Sequence, residues 1–379
     1  MVRYLAERAR TIQIQRGRCK NHEAPATPEE ITAMRGLCGK LNWTAREGMP
    51  NGSGDASLLS STLPTPKVKD LIEANAALKR LKEANATITI KSIPFSRLRL
   101  VALCDSGLDI KGVGQGRSQT GNMICAVDKE LLEGKEADIS ILTWHSHKTE
   151  RSGSSTLVVE SNAMSEGLAE AEWVTSWLYL ARDFRYELRD RHTLNREIRV
   201  TTIMEQNPDL DIITMTDAKS LYDCLNREQF ASTEKRAALE IAVIRDSLES
   251  LGGQCRWFPH ELNPTDGLTK LKGNIQPLLQ MMNTAKLRIT GEKEEMERRK
   301  AYRLATGKRN PRPNISKMGS PTTSSTTRTS RSSPTSSPPL TTSTGVHNLS
   351  VCDFLYSSSS SSYPVACFEA VSLQDMSVL

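Results

Sequence analysis

At 379 residues the chain is long enough for two domains, yet 37% hydrophobic and 5% aromatic residues are too few for all of it to pack into cores. The formal net charge of +6 is confined to one place: residues 284–313 carry ten Lys/Arg against four Glu, so the remainder sums to zero and a uniformly basic, nucleic-acid-coating surface is excluded. No apolar run approaches the roughly 20 residues of a membrane span, no signal peptide opens the chain, and eight cysteines scattered without a CxxC pair read as free thiols of a reducing compartment, cytoplasmic or nuclear.

Residues 1–94 read as mostly helical. Their Arg-rich opening, MVRYLAERARTIQIQRGR, lacks the serines of a transit peptide and reads as the start of a piece cut from a longer chain. From Leu98 to Cys104 (LRLVALC) the aliphatic alternation predicts a strand that ends at Asp105. A Gly-rich turn, KGVGQGRSQTG, does not carry the GxGxxG spacing of a dinucleotide loop and is read as a hairpin. NMICAV and ISILTW then complete an antiparallel meander of three strands.

From Glu160 the period becomes helical. Glu160, Met164, Gly167, Ala171, Val174 and Leu178 fall at steps of three and four, which sets a carboxylate on the apolar stripe at the first turn. A carboxylate there is costly unless paired or bound to a cation, although a Glu capping its own helix fits the position as well. IITMTD (212–217) is a fourth strand, parallel to the first through a right-handed crossover, so that Asp105 and Asp217 end neighbouring strands at one sheet edge. A helix capped at Ser232 or Thr233 carries Ala237, Ile241, Ile244 and Leu248 and stops at Gly252-Gly253. CRWF is a fifth strand, HELNPTDGLTK leads into a last helix near Asp266, and residues 284–309 form a basic helix. After about residue 310, Ser, Thr and Pro dominate and a disordered tail is expected, because such a stretch cannot bury enough apolar surface to offset its conformational entropy. Trp144, Trp173 and Trp177 are assigned to the core.

The expected fold is therefore α/β: a five-stranded mixed sheet, three strands antiparallel and two parallel, flanked by helices. Four acids, Asp105, Glu160, Asp217 and Asp266, stand at element ends. Phosphodiester hydrolysis at neutral pH needs an activated water and neutralised attacking and leaving oxygens, which two Mg²⁺ ions, or Mn²⁺, can supply; four carboxylates suit two hard cations.

This order coincides with a family. ESNAMSEGLAEAEW (160–173) resembles the EYMALSEAAKEALW helix of the ribonuclease H domain in copia-type retrotransposon Pol polyproteins. FPHELNPTDGLTK (258–270) is similar to that family's closing VPTEDQLADIFTK, TDAKSLYDCL (216–225) to its CDNQSAIAL, and LTWHSHKT (142–149) to its third strand. Upstream, LCGKLNW (37–43) and the stretch 55–82 resemble the last part of the reverse transcriptase and its connection, which makes residues 1–94 a polymerase remnant and 95–283 the ribonuclease H-like domain. Departures are specific: Asp105 is followed by Ser106-Gly107 where the family has D-A-D, leaving Asp109 as an alternative first acid, and a basic insertion, 182–199, lengthens the step from Glu160 to Asp217. No Tyr-x-Asp-Asp polymerase motif occurs, so polymerase activity of this chain is excluded.

The resemblance implies that Asp105 bridges both metals, that Glu160 and Asp217 hold the ion beside the leaving group, and that Asp266 holds the ion that activates water. His260 stands where related enzymes carry a mobile histidine, or is a surface-loop residue. Lys148 and Arg151 contact phosphate, or are solvated loop cations. Two functions follow from different classes: an endoribonuclease cutting the RNA strand of an RNA·DNA hybrid, partnered with the rest of the Pol polyprotein, or a non-catalytic nucleic-acid- or protein-binding module left by a decayed element.

Overall fold

The computed structural model describes residues 1–84, 86–108, 118–150, 153–182, 212–227, 234–289 and 292–307. All of them lie in one compact unit, Met1–Ser316, while the segment expected to be a disordered tail lies outside the described residues.

Four helices come first: α1 (Val2–Arg8), α2 (Pro28–Glu47), α3 (Ser53–Ser60) and α4 (Val68–Glu83). The start of α2 is fixed by a reciprocal capping box. The Thr27 hydroxyl accepts from the Glu30 backbone N–H and the Glu30 carboxylate accepts from that of Thr27, with Pro28 pre-set at the first helical position. Met34, Leu37, Leu41, Leu59, Leu71 and Leu78 give these helices a core of their own.

The sheet follows. Strands β1 (Leu98–Gly107), β2 (Gln119–Asp128) and β3 (Glu136–Lys148) form the expected meander, and α5 (Thr156–Arg182) leads to β4 (Ile212–Thr216). Helices α6 (Lys219–Leu225) and α7 (Lys235–Ser250) precede β5 (Gln254–Trp257). The short α8 (Asp266–Thr269) and α9 (Gln276–Thr284) then lead to β6 (Lys286–Arg288) and α10 (Glu292–Thr306). Strand order is β5-β4-β1-β2-β3-β6, with β4 parallel to both β1 and β5. This is the three-antiparallel, two-parallel arrangement read from the sequence, in a ribonuclease H-like α/β fold.

Several expectations need correction. The sheet has six strands rather than five, because Lys286–Arg288 pairs antiparallel with Glu136–Asp138, so the basic helix expected over 284–309 is confined to Glu292–Thr306. Three residues are too few for alternation to register. β1 does not stop at Asp105 but continues to Gly107, since Asp105, Ser106 and Gly107 stay paired with Gly121, Thr120 and Gln119. Helix α7 is N-capped at Glu234, and Ser232 and Thr233 lie outside the described residues.

Both faces of the central strands are covered, so their side chains are buried almost without interruption. Leu100, Ala102 and Ile124 face Met164, Leu168, Ile241 and Ile244 on one side, while Val101, Leu103, Met123 and Ile213 face Leu278, Met281 and Met282 on the other. Of the tryptophans, Trp144 packs against this second core, whereas Trp177, stacked edge-on against Trp173 at 5.7 Å, is 48% exposed and so is not a core residue. The six described cysteines are free, and no helix among the described residues is long and apolar enough to cross a membrane.

Strand β3 is tied to α5 by two ion pairs, His145 Nε2 to Glu170 Oε1 at 3.3 Å and His147 Nε2 to Glu166 Oε2 at 3.2 Å. The Glu166 hydrogen bond raises the His147 pKa above its ordinary 6.5. A raised histidine stabilises fully below its unfolded pKa, and that contribution is lost as pH rises through the folded value. Melting curves of His147→Ala should therefore show a deficit against wild type at about pH 6 that shrinks by about pH 9. Equal deficits at both would contradict the assignment. In the core, Leu103→Ala should cost about 2–5 kcal/mol in denaturant melts. Leu239→Ala, at a side chain 70% exposed, should stay within about 0.5 kcal/mol.

Candidate metal centre

Sheet register brings the first two acids together. The last parallel pair of β1 and β4 is Leu103 with Met215, so Asp105 and Asp217 each lie two residues beyond it, at the carboxyl ends of adjacent strands. Helix α5 approaches the same end closely: a Cβ on Gly167 would sit 2.4 Å from Cys104 Sγ, so only glycine lets the helix lie this near β1. Glu160, two turns earlier, is thereby set over the strand ends.

One carboxylate oxygen from each of Asp105, Glu160 and Asp217 lies within 4.8 Å of the others. Asp105 is 1% exposed. Burial, and after it the repulsion of Asp217, pushes its carboxyl up to about 7. Glu160 is driven well above the carboxylate range by burial and then by Asp105. Asp217 goes the other way. Burial raises it, but donation from His260 Nδ1–H at 2.6 Å and Asn263 Nδ2–H at 3.0 Å outweighs that and holds it below its ordinary value.

Asp266 is placed beside this group but not in it. It is 3% exposed, and both its oxygens are engaged: Oδ1 accepts from Lys270 Nζ and Oδ2 from the Asn274 backbone N–H at 2.7 Å. His260 spans the two acids, its Nε2 lying 3.7 Å from Asp266 Oδ1, with a side chain 57% exposed. Lys148 closes β3 opposite Gln119, at the sheet end where Asp105 faces Gly121 and Gly121 faces Ser146. Arg151 and Asp109 lie outside the described residues.

Several contacts escaped the sequence reading. Lys270 is a cation in contact with Asp266: burial lowers its pKa, but Asp105 and then Asp266 outweigh this and raise it. The Thr269 hydroxyl donates to Asp105 Oδ2. Lys270 stands four residues after Asp266, the spacing at which helical side chains meet, and that spacing was the available signal. Asn263, also hydrogen-bonded to Thr265, offered none.

The donor set fits hard divalent cations. It is all oxygen, it is acidic, and it crowds three carboxyl groups within 4.8 Å.

No protein-family model matches the sequence, and no curated protein does. Among solved structures, the chain is similar to RNase H1 from the halophilic archaeon Halobacterium salinarum NRC-1, at 12% identity and a TM-score of 0.27 over 44% of this chain and 90% of that one. It is also similar to the N-terminal RNase H domain of a Mycobacterium tuberculosis protein, solved as a maltose-binding-protein fusion, at 10% identity and a TM-score of 0.27 over 50% of this chain and 96% of that one. The fold assignment rests on the strand order and crossovers of the chain itself.

Proposed function

We propose that the chain is a retrotransposon-derived ribonuclease H, hydrolysing the RNA strand of RNA·DNA hybrids with divalent cations held at the sheet edge. The observation that carries this reading is the convergence of Asp105, Glu160 and Asp217, from three elements, within 4.8 Å. Apart from ligation, a cluster of repelling carboxylates at a strand end has no structural use that offsets its cost.

Asp105, Glu160 and Asp217 would hold Mg²⁺ or Mn²⁺, with Asp266 joining them once Lys270 releases it. When bound, such ions lower the pKa of water and neutralise charge on the attacking and leaving oxygens. The chain's own groups supply the rest. Thr269 fixes the Asp105 carboxylate, Asn263 fixes that of Asp217, and Lys270 offsets the acids' charge. His260, bonded through Nδ1 to Asp217 and open to solvent, can carry a proton between the site and bulk water. Lys148 and Arg151 are proposed phosphate contacts, the hybrid being read through its 2′-hydroxyls and groove shape. The setting proposed is a copia-type Pol polyprotein working in cytoplasm or nucleus.

A second reading, a non-catalytic nucleic-acid-binding module, is favoured by one feature. Asp266 has both oxygens occupied by Lys270 and Asn274.

Asp105→Asn separates the two. It should abolish Mg²⁺-dependent cleavage of a labelled hybrid while leaving the apo fold as stable as wild type or slightly more so, since one of three crowded acids is replaced by a neutral amide. Hybrid binding by the variant should persist and weaken as salt rises. Wild-type chain that binds hybrid but cuts nothing in Mg²⁺ or Mn²⁺ would sink the nuclease reading and leave the module.

A further inference from the structure

The turn that carries Asp266, Thr269 and Lys270 is held from both sides. Against the sheet, a Cβ on Gly121 would lie 2.7 Å from Leu268 Cβ, and the Ser146 hydroxyl donates to Leu268 O at 2.5 Å. On the opposite side is α3 of the N-terminal helices. There a Cβ on Gly54 would lie 2.3 Å from Gly267 O, so backbone meets backbone with no room for a side chain. The Gln119 side-chain amide joins the two layers, donating to Ser57 on α3 at 2.9 Å and to Ser146 on β3 at 3.0 Å.

A charge relay secures the far end of the same turn. Lys272 has a φ of 60°, a left-handed conformation that a residue with a side chain enters at a cost. Its ammonium is 2.6 Å from Glu73 of α4, and Glu73 also accepts from Arg80 at 2.9 Å, which in turn pairs with Asp55 of α3 at 2.7 Å. The Lys272 to Glu73 pair is the only ion pair joining residues 266–273 to the N-terminal helices among the described residues.

We infer that α3 and α4 are a clamp on the metal centre: Gly54 and Glu73 are positioning residues that hold the Asp266–Lys272 turn against β1 and β2. Thr269 on that turn donates to Asp105, and Lys270 donates to Asp266, so a shift of the turn moves two acids and the counter-charge together. This inference rests on the nuclease reading for its catalytic consequence, though not for the clamp itself. The N-terminal helices are then part of the working site rather than a polymerase remnant carried along.

The test uses the full chain and the pair Glu73 and Lys272, because Lys272 is largely exposed and its replacement leaves both cores intact. Hydrogen exchange over residues 266–273, Mn²⁺ binding followed by electron paramagnetic resonance, and kcat and KM on a labelled hybrid are measured for wild type, Glu73→Lys, Lys272→Glu and the double swap. Glu73→Lys should speed exchange across the turn, weaken Mn²⁺ binding, and lower kcat by about a hundredfold with KM nearly unchanged, as expected when a reacting group is misplaced by about an ångström. The double swap re-forms the pair between α4 and the turn, though not the Arg80 contact, and should recover part of all three relative to Glu73→Lys, which a loss of general stability would not do. Gly54→Ala, should it fold, is expected to behave like Glu73→Lys. Wild-type exchange and kcat in Glu73→Lys would overturn the clamp. A wild-type chain that cuts nothing refutes the nuclease reading instead, and exchange and Mn²⁺ binding then judge the clamp alone.

Discussion

Mutual repulsion among buried carboxylates is the constraint around which this molecule is organised. Two unit charges 4.8 Å apart repel by on the order of 3 kcal/mol at the effective dielectric found near protein surfaces, and burial adds the cost of lost hydration. Asp105, Glu160 and Asp217 meet only because the chain commits three elements to that point. The parallel register of β1 and β4 aligns the two aspartates, and the close approach of α5 at Gly167 fixes Glu160. Their pKa values separate accordingly. Asp105 and Glu160 are pushed up where burial dominates, while Asp217 is held down where His260 and Asn263 donate to it.

The protein also sets a counter-charge of its own beside the acids. Lys270, with its pKa raised by Asp105 and Asp266, neutralises part of the cluster and at the same time occupies an oxygen of Asp266. One residue thus bears on both functional readings. Under the nuclease reading Lys270 would yield Asp266 to a divalent cation, and under the module reading it would keep that oxygen. The chemistry separating the two is local: whether Asp266 exchanges an ammonium and a backbone N–H for a divalent cation.

Much of the fold was legible because it is written in side-chain periodicity. Leu98 to Cys104 alternates, Glu160 to Leu178 steps at three and four, and the apolar run Ile212 to Thr216 is closed by an acid. These patterns put Asp105 and Asp217 at one sheet edge and Glu160 on the apolar face of its helix, while the meeting of Glu160 with the other two was implied by the family resemblance. What stayed hidden is written in backbone and in single contacts. The strand Lys286–Arg288 is too short to show a period, and the extension of β1 through Ser106 and Gly107 depends on partners in β2 that are themselves polar. The spacing of Lys270 from Asp266 hints at their contact, but its place beside Asp105 follows from where the turn is carried.

The docking of the N-terminal helices shows the same limit more sharply. Residues 1–94 read from sequence only as mostly helical, and nothing in that reading says that α2 to α4, which the structure provides with a core of their own, touch the sheet. The joint is made by an absent side chain at Gly54, by the Trp144 indole donating to Ala45 O at 2.9 Å, and by the Glu73 to Lys272 ion pair. None of these buries a recognisable apolar stripe. Each of these contacts sets a distance or a pairing, and so together they fix position. That is the property a metal centre requires of its surroundings. Carboxylates that repel one another will drift apart unless each is held from behind, and the helices preceding the sheet stand where they can hold the last of the four.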